Sequence, residues 1–134
     1  MTLDEYQKKA SEFASYYDNV IYPELGLAEE TGEVCGKVAK FVRRWGRHPY
    51  AHPGPSHTIS ELREKLESSQ GCDSADVDAK FIVDVSSEIG DTLWMLSEIA
   101  TQYGLYLGDI AEENIAKLTD RRERGMIDGN GDNR

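Results

Sequence analysis

Apolar residues recur along most of this chain at intervals of three and four, the period of a helix with one buried face. Tyr6, Ala10, Phe13, Ala14 and Tyr17 mark a first helix, which Thr2 and Glu5 open as a capping box and which runs to about Tyr17. Leu27, Val34, Val38, Phe41 and Val42 form the stripe of a second, with Pro23 in its first turn and its end near Trp45. Thr58 and Glu61 cap a short, mostly charged helix from Ile59 to about Ser69. Ile82, Val85, Ile89, Leu93, Leu96 and Ala100 lie on the buried side of a long helix, from about Ala79 to Tyr103, which Gly104 ends. A last helix, about Gly108 to Arg124, carries Ile110, Ile115 and Leu118.

Between these periodic stretches the pattern breaks. Pro49, Pro53, Gly54 and Pro55 crowd the segment from Gly46 to His57 into a loop, and the run from Ser68 to Asp78 is polar and turn-like. No stretch alternates cleanly enough for a half-buried strand. The expectation is an all-α bundle of four to five helices forming one domain over 1–134. Within it, 46–78 is an insert of loop and short helix, and 125–134 a flexible tail.

Composition narrows the class. The 134 residues carry 25 Asp and Glu against 15 Lys and Arg, a formal net charge of −10, so stable nucleic-acid binding is not expected. A small phosphorylated ligand stays compatible with that charge where a metal or a local basic patch reverses the field. No run approaches the length needed to span a bilayer, and the N-terminus lacks the apolar segment of a secretory signal. Cys35 and Cys72 stand far apart without CxxC spacing, which fits a reducing, cytoplasmic setting.

Candidate chemistry lies in two acidic clusters, Glu29-Glu30-Thr31-Gly32-Glu33 and Glu88-Ile89-Gly90-Asp91. Residues three apart share a helix face, so Glu30 pairs with Glu33, and Glu88 with Asp91. At about 100° per residue, Glu30 and Glu88 fall at the edge of their helices' apolar stripes, with Glu33 and Asp91 one step further out. One such pair is ordinarily a solvated face. If the two helices pack antiparallel, two pairs at matching positions bring four carboxylates to the rim of one core, where they repel one another unless cations neutralise them. Hard oxygen donors select Mg²⁺, with Mn²⁺ as a substitute.

The order EExxE, then ExxD, resembles the MazG-like all-α nucleoside triphosphate pyrophosphohydrolases. Glu88-Ile-Gly-Asp91-Thr-Leu-Trp94 is similar to that family's motif on its second metal-binding helix, and Asn114-Ile-Ala-Lys117-Leu-Thr-Asp-Arg121 to its N-x-x-K-L-x-x-R segment. The ending Gly129-Asn-Gly-Asp-Asn-Arg134 is similar to the tail of the short, phage-type members. The stretch between Glu33 and Glu88 is longer than the family's usual spacing, and reads as a lineage-specific elaboration.

The resemblance implies that Glu30, Glu33, Glu88 and Asp91 hold Mg²⁺, and that a (d)NTP is hydrolysed to (d)NMP and pyrophosphate in nucleotide-pool housecleaning. Glu29, about 100° round the helix from Glu30, is then better placed to orient water than to ligate. Asn114, Lys117 and Arg121 share one face at i, i+3, i+7 and suit triphosphate oxygens, and Trp94 is a candidate for stacking on the base. A homodimer or homotetramer is implied too, with Tyr6, Phe13 and Tyr17 as a candidate surface. The alternative is a catalytically silent nucleotide- or protein-binding module of the same fold.

Three other constellations fall away. His48, His52 and His57 sit in a Pro- and Gly-rich loop without a supporting Cys, which disfavours zinc. Asp128, Asn130 and Asp132 imitate an EF-hand start, but Asn133 stands where Gly is needed and no Glu follows. A di-iron bundle wants Glu-x-x-His, whereas Gly36 and Asp91 occupy those positions.

Overall fold

The computed structural model describes residues 1–16, 19–48, 56–69 and 74–126, and among these every regular element is helical. The elements are α1 (Leu3–Ala10), a 3₁₀ turn (Ser11–Phe13), α2 (Tyr22–Trp45), α3 (Ile59–Ser68), α4 (Ser74–Gln102) and α5 (Leu107–Glu123). They group into two compact units. One comprises Ile21–Met95, the other Met1–Val20 with Leu96–Arg134.

In the first unit, α2 begins with Pro23 in its opening turn and ends at Gly46, whose φ of 64° lets its N–H close on the Val42 carbonyl. Partners on α4 fall in number as those on α2 rise, so the two helices run antiparallel. Lys37 meets Glu88, Phe41 meets Phe81 and Arg47 meets Asp78. The rings of Phe41 and Phe81 stand 4.5 Å apart, centroid to centroid. The Arg47 guanidinium grips both oxygens of Asp78 at 2.8 and 3.1 Å and also stands over the Phe41 ring. At the other end of the pair Gly26 leaves room for Met95. A methyl group built there would lie 2.6 Å from the Met95 sulfur, and that side chain is buried.

The α3 helix opens with the capping box read from sequence: Thr58 Oγ1 accepts from the Glu61 N–H, and the Thr58 N–H donates to the Glu61 carboxylate. That backbone hydrogen bond, aided by the Thr58 hydroxyl, holds the Glu61 carboxyl below its ordinary pKa. Leu62 on α3 and Ala79 on α4 are buried.

The second unit solves a capping problem by tertiary contact. Tyr106, at the N-cap of α5, gives no side-chain cap. Two side chains of α1 supply one instead. Gln7 Oε1 accepts from the Leu107 N–H at 2.8 Å, and Asp4 Oδ1 accepts from the Gly108 N–H at 2.7 Å. Gln7 Nε2 also donates to Thr101 Oγ1 and the Leu105 carbonyl, so this buried amide ties α1 to the turn before α5.

Several expectations need correction. The first α-helix stops at Ala10 and tightens into a 3₁₀ turn, because Ala14 is extended, with ψ of 121°. The α4 helix begins at Ser74, earlier than the Ala79 read from periodicity, so Asp76 and Asp78 are helical. Ile89 and Leu96, expected on the buried side of the long helix, are exposed, and so are Ile110, Ile115 and Leu118 of α5. On α4 burial goes instead to Ala79, Glu88, Met95, Ser97, Glu98 and Ala100. Small residues such as Ala79, Ser97 and Ala100 admit close neighbours, which turns the bulky positions to the flanks. Residues 127–134 of the C-terminal tail, Tyr17 and the proline cluster lie outside the described residues.

The packing around Gly26, Gly36 and Gln7 sets the sign of three substitutions. Gly26→Ala should lower stability by about 1–3 kcal/mol through overpacking against Met95. Gly36→Ala, where an added methyl meets nothing within 4 Å, should raise it by roughly 0.5–1 kcal/mol. Denaturant melts of the two variants beside the parent check the opposite signs. Gln7→Ala should cost about 1–3 kcal/mol, because it strands the buried Leu107 N–H, and hydrogen exchange should show that loss at the start of α5.

Candidate metal centre

The antiparallel register of α2 and α4 determines which acidic residues meet. Glu30 from α2 and Glu88 and Asp91 from α4 each present a carboxylate oxygen, and these atoms lie within 4.8 Å of one another. Such a set can close on a single cation whose oxygen ligands stand at about 2.1 Å, and an all-carboxylate donor set suits Mg²⁺. Depth varies across the cluster: Glu88 is nearly buried, Glu30 half-buried and Asp91 exposed.

The electrostatics carry the mark of crowded like charges. Burial raises the Glu30 pKa first, and the charges of Asp91, Glu33, Glu29 and Glu88 raise it further. Among the described residues, Lys37 answers this field. Lys37 Nζ stands 3.0 Å from Glu88 Oε1, and that hydrogen bond leads the causes that raise the lysine pKa. The carboxylates thus face a resident ammonium on one side and one another on the other.

The remaining expected residues are placed as follows. Glu29 and Glu33 are exposed on α2, and Glu33 acts on Glu30 and Lys37 through its charge. Trp94 is half-buried on α4, with its indole nitrogen enclosed. Asn114 and Lys117 are exposed on α5, whereas Arg121 is buried, and all three belong to the second unit. Gly32 and Gly90, set within the two acidic motifs, border open space among the described residues and serve no close approach.

Sequence reasoning passed over Lys37, although its spacing gave a signal. Glu30, Glu33 and Lys37 follow the same i, i+3, i+7 rule as Asn114, Lys117 and Arg121. It also passed over a groove of about 470 Å³ that continues from Lys37 along the same helix pair. Lys40, Arg44 and Lys80 line it with Trp45 and Phe41, which gives this acidic chain a local basic and aromatic surface. The Arg44 guanidinium lies 5.2 Å from the Trp45 ring centroid.

Among the described residues, then, the protein is all-helical and gathers carboxylates from two antiparallel helices. Comparison with known proteins makes the assignment specific. Residues 24–126 match the model of the MazG nucleotide pyrophosphohydrolase domain, and the chain belongs to that family. It is similar to the Gene 37 protein of Mycobacterium phage L5, 28% identical over 142 residues, an alignment that covers 100% of both chains. No solved structure matches. Among the described residues, no helix is long and apolar enough to cross a membrane.

The raised Glu30 pKa has a definite sign for stability. A carboxyl whose pKa rises on folding opposes the folded state once it ionises, so removing its charge relieves that cost at neutral pH. Glu30→Gln should therefore melt at a higher temperature than the parent in EDTA, whereas Mg²⁺ should raise the melting temperature of the parent and not that of the variant. Thermal melts with and without Mg²⁺ measure both effects.

Proposed function

We propose that this protein is a Mg²⁺-dependent nucleoside triphosphate pyrophosphohydrolase, and the observation that carries the reading is the convergence of Glu30, Glu88 and Asp91 within a matched MazG domain. The reaction is (d)NTP + H₂O → (d)NMP + pyrophosphate, a housecleaning step on the nucleotide pool. Glu30, Glu88 and Asp91 hold the metal, and Glu33 joins them from one turn further along α2. The bound cation supplies positive charge and Lewis acidity to the phosphate oxygens. Glu29, exposed beside Glu30, orients the attacking water and takes its proton. Asn114, Lys117 and Arg121 donate to the triphosphate, and Trp94 flanks the base.

The chain acts as a single domain and as a homodimer or homotetramer. Support for assembly comes from large apolar side chains left in water, including Phe13 at 72% exposure and Ile115 at 63%. The exposed free thiol of Cys35 fits a cytoplasmic setting.

Pyrophosphate release from a panel of NTPs and dNTPs, with Mg²⁺ and with EDTA, tests the reading. Metal-dependent formation of monophosphate and pyrophosphate is expected. Glu88→Gln or Asp91→Asn should reduce turnover on the order of 100-fold or more, with helical content unchanged by circular dichroism. A folded parent protein that binds nucleotides without cleaving them identifies the silent binding module instead.

A further inference from the structure

Lys37 touches the most deeply buried carboxylate of the cluster and also lines the groove that leads away from it. Its side chain is 35% exposed against 12% for Glu88, so the ammonium lies between the enclosed acid and open solvent. Three carboxylates this close need compensating charge even without a metal, and Lys37 bonds directly to one of them, Glu88. Two cations on one carboxylate repel, so the contact that steadies the metal-free cluster opposes entry of a divalent ion.

We propose that Lys37 is the resident counter-cation of this site. It holds Glu88 in place while the metal is absent, yields to the divalent ion, and then turns its ammonium into the groove to bind an anionic oxygen of the incoming phosphate chain. The inference rests on the metal site assigned above and adds to it a positioning residue on α2. Two features of the groove support the second half. Lys40, Arg44 and Lys80 line it too, against the carboxylate of Asp84 that pairs with Lys80, so an anion there meets net positive charge in a chain of net charge −10. A lysine stem with its rotatable bonds allows the ammonium to swing between the two positions without backbone movement.

The two roles predict opposite effects of one substitution, which a merely structural ion pair would not give. Lys37→Met keeps the apolar stem and removes the charge. In the full-length protein, Mn²⁺ alone should bind about tenfold more tightly than to the parent, read by the electron paramagnetic resonance of free Mn²⁺. The Mg²⁺ complex of inorganic tripolyphosphate, followed by calorimetry at saturating Mg²⁺, should bind several-fold more weakly. Lys37→Arg should return both values toward those of the parent. Lys80→Met makes the same change of charge at a lysine paired with Asp84, outside the cluster, and should leave Mn²⁺ affinity near the parent's.

Unchanged or weaker Mn²⁺ binding in Lys37→Met overturns the proposal, as does an equal gain in Lys80→Met, which would mark a general field effect. Tripolyphosphate binding that stays at the parent's level, or that the parent itself lacks, overturns it as well. A parent that binds no Mn²⁺, or binds it unaltered in Asp91→Asn, overturns the metal site and this inference together. That result separates failure of the site from failure of Lys37 alone.

Discussion

The mutual repulsion of carboxylates held at fixed spacing is the constraint on which the site depends. A cluster of Glu30, Glu88 and Asp91 opposes folding unless the backbone that carries it is pinned by other contacts. The α2–α4 pair supplies them along its length. Met95 fits against Gly26 at one end, the Phe41 and Phe81 rings meet further along, and Arg47 holds Asp78 with two hydrogen bonds at the other. Apolar packing and a bidentate ion pair thus hold in place an acidic cluster that would otherwise push its own helices apart. The Glu30 pKa is raised first by burial and then by the neighbouring carboxylates, so both costs fall on the packed helix pair.

Charge along α2 is graded in the same way. Its N-terminal half carries Glu29, Glu30 and Glu33, and its C-terminal half carries Lys37, Lys40, Arg43 and Arg44 before Arg47 just beyond its end. The basic half lies toward the negative end of the helix dipole, which favours cations there. Lys37 marks the boundary, where the basic groove begins beside the acidic cluster. A strongly acidic chain therefore carries a local basic surface without reversing its overall charge.

The second unit rests on a different device. Asp4 and Gln7 of α1 satisfy the first N–H groups of α5 from about a hundred residues away in sequence, where Tyr106 offers no side-chain acceptor. The Asp4 carboxylate comes so close to Gly108 that a side chain there would strike it. Local cap rules therefore did not reveal how α5 starts, whereas they placed α3 correctly from Thr58 and Glu61 alone.

The sequence by itself determined the helical class, the positions of α2, α3 and α5 to within a residue or two, and the two acidic motifs, because each rests on local rules: helical period, capping residues and i, i+3 spacing. Its reading of burial was less complete. Ile89, Leu96 and Ile115 carry the apolar pattern but stand in solvent, while Ser97 and Glu98 are enclosed, since packing selects for shape as well as polarity. The sequence set Glu30, Glu33, Glu88 and Asp91 at matching helix positions, but tertiary structure decided that Glu30, Glu88 and Asp91 are the three that meet, that Lys37 bonds to Glu88, and that α1 caps α5. Those pairings depend on the register between distant elements. Register is set by the summed packing of many side chains, from Gly26 against Met95 to Arg47 on Asp78, and no local pattern in the chain encodes it.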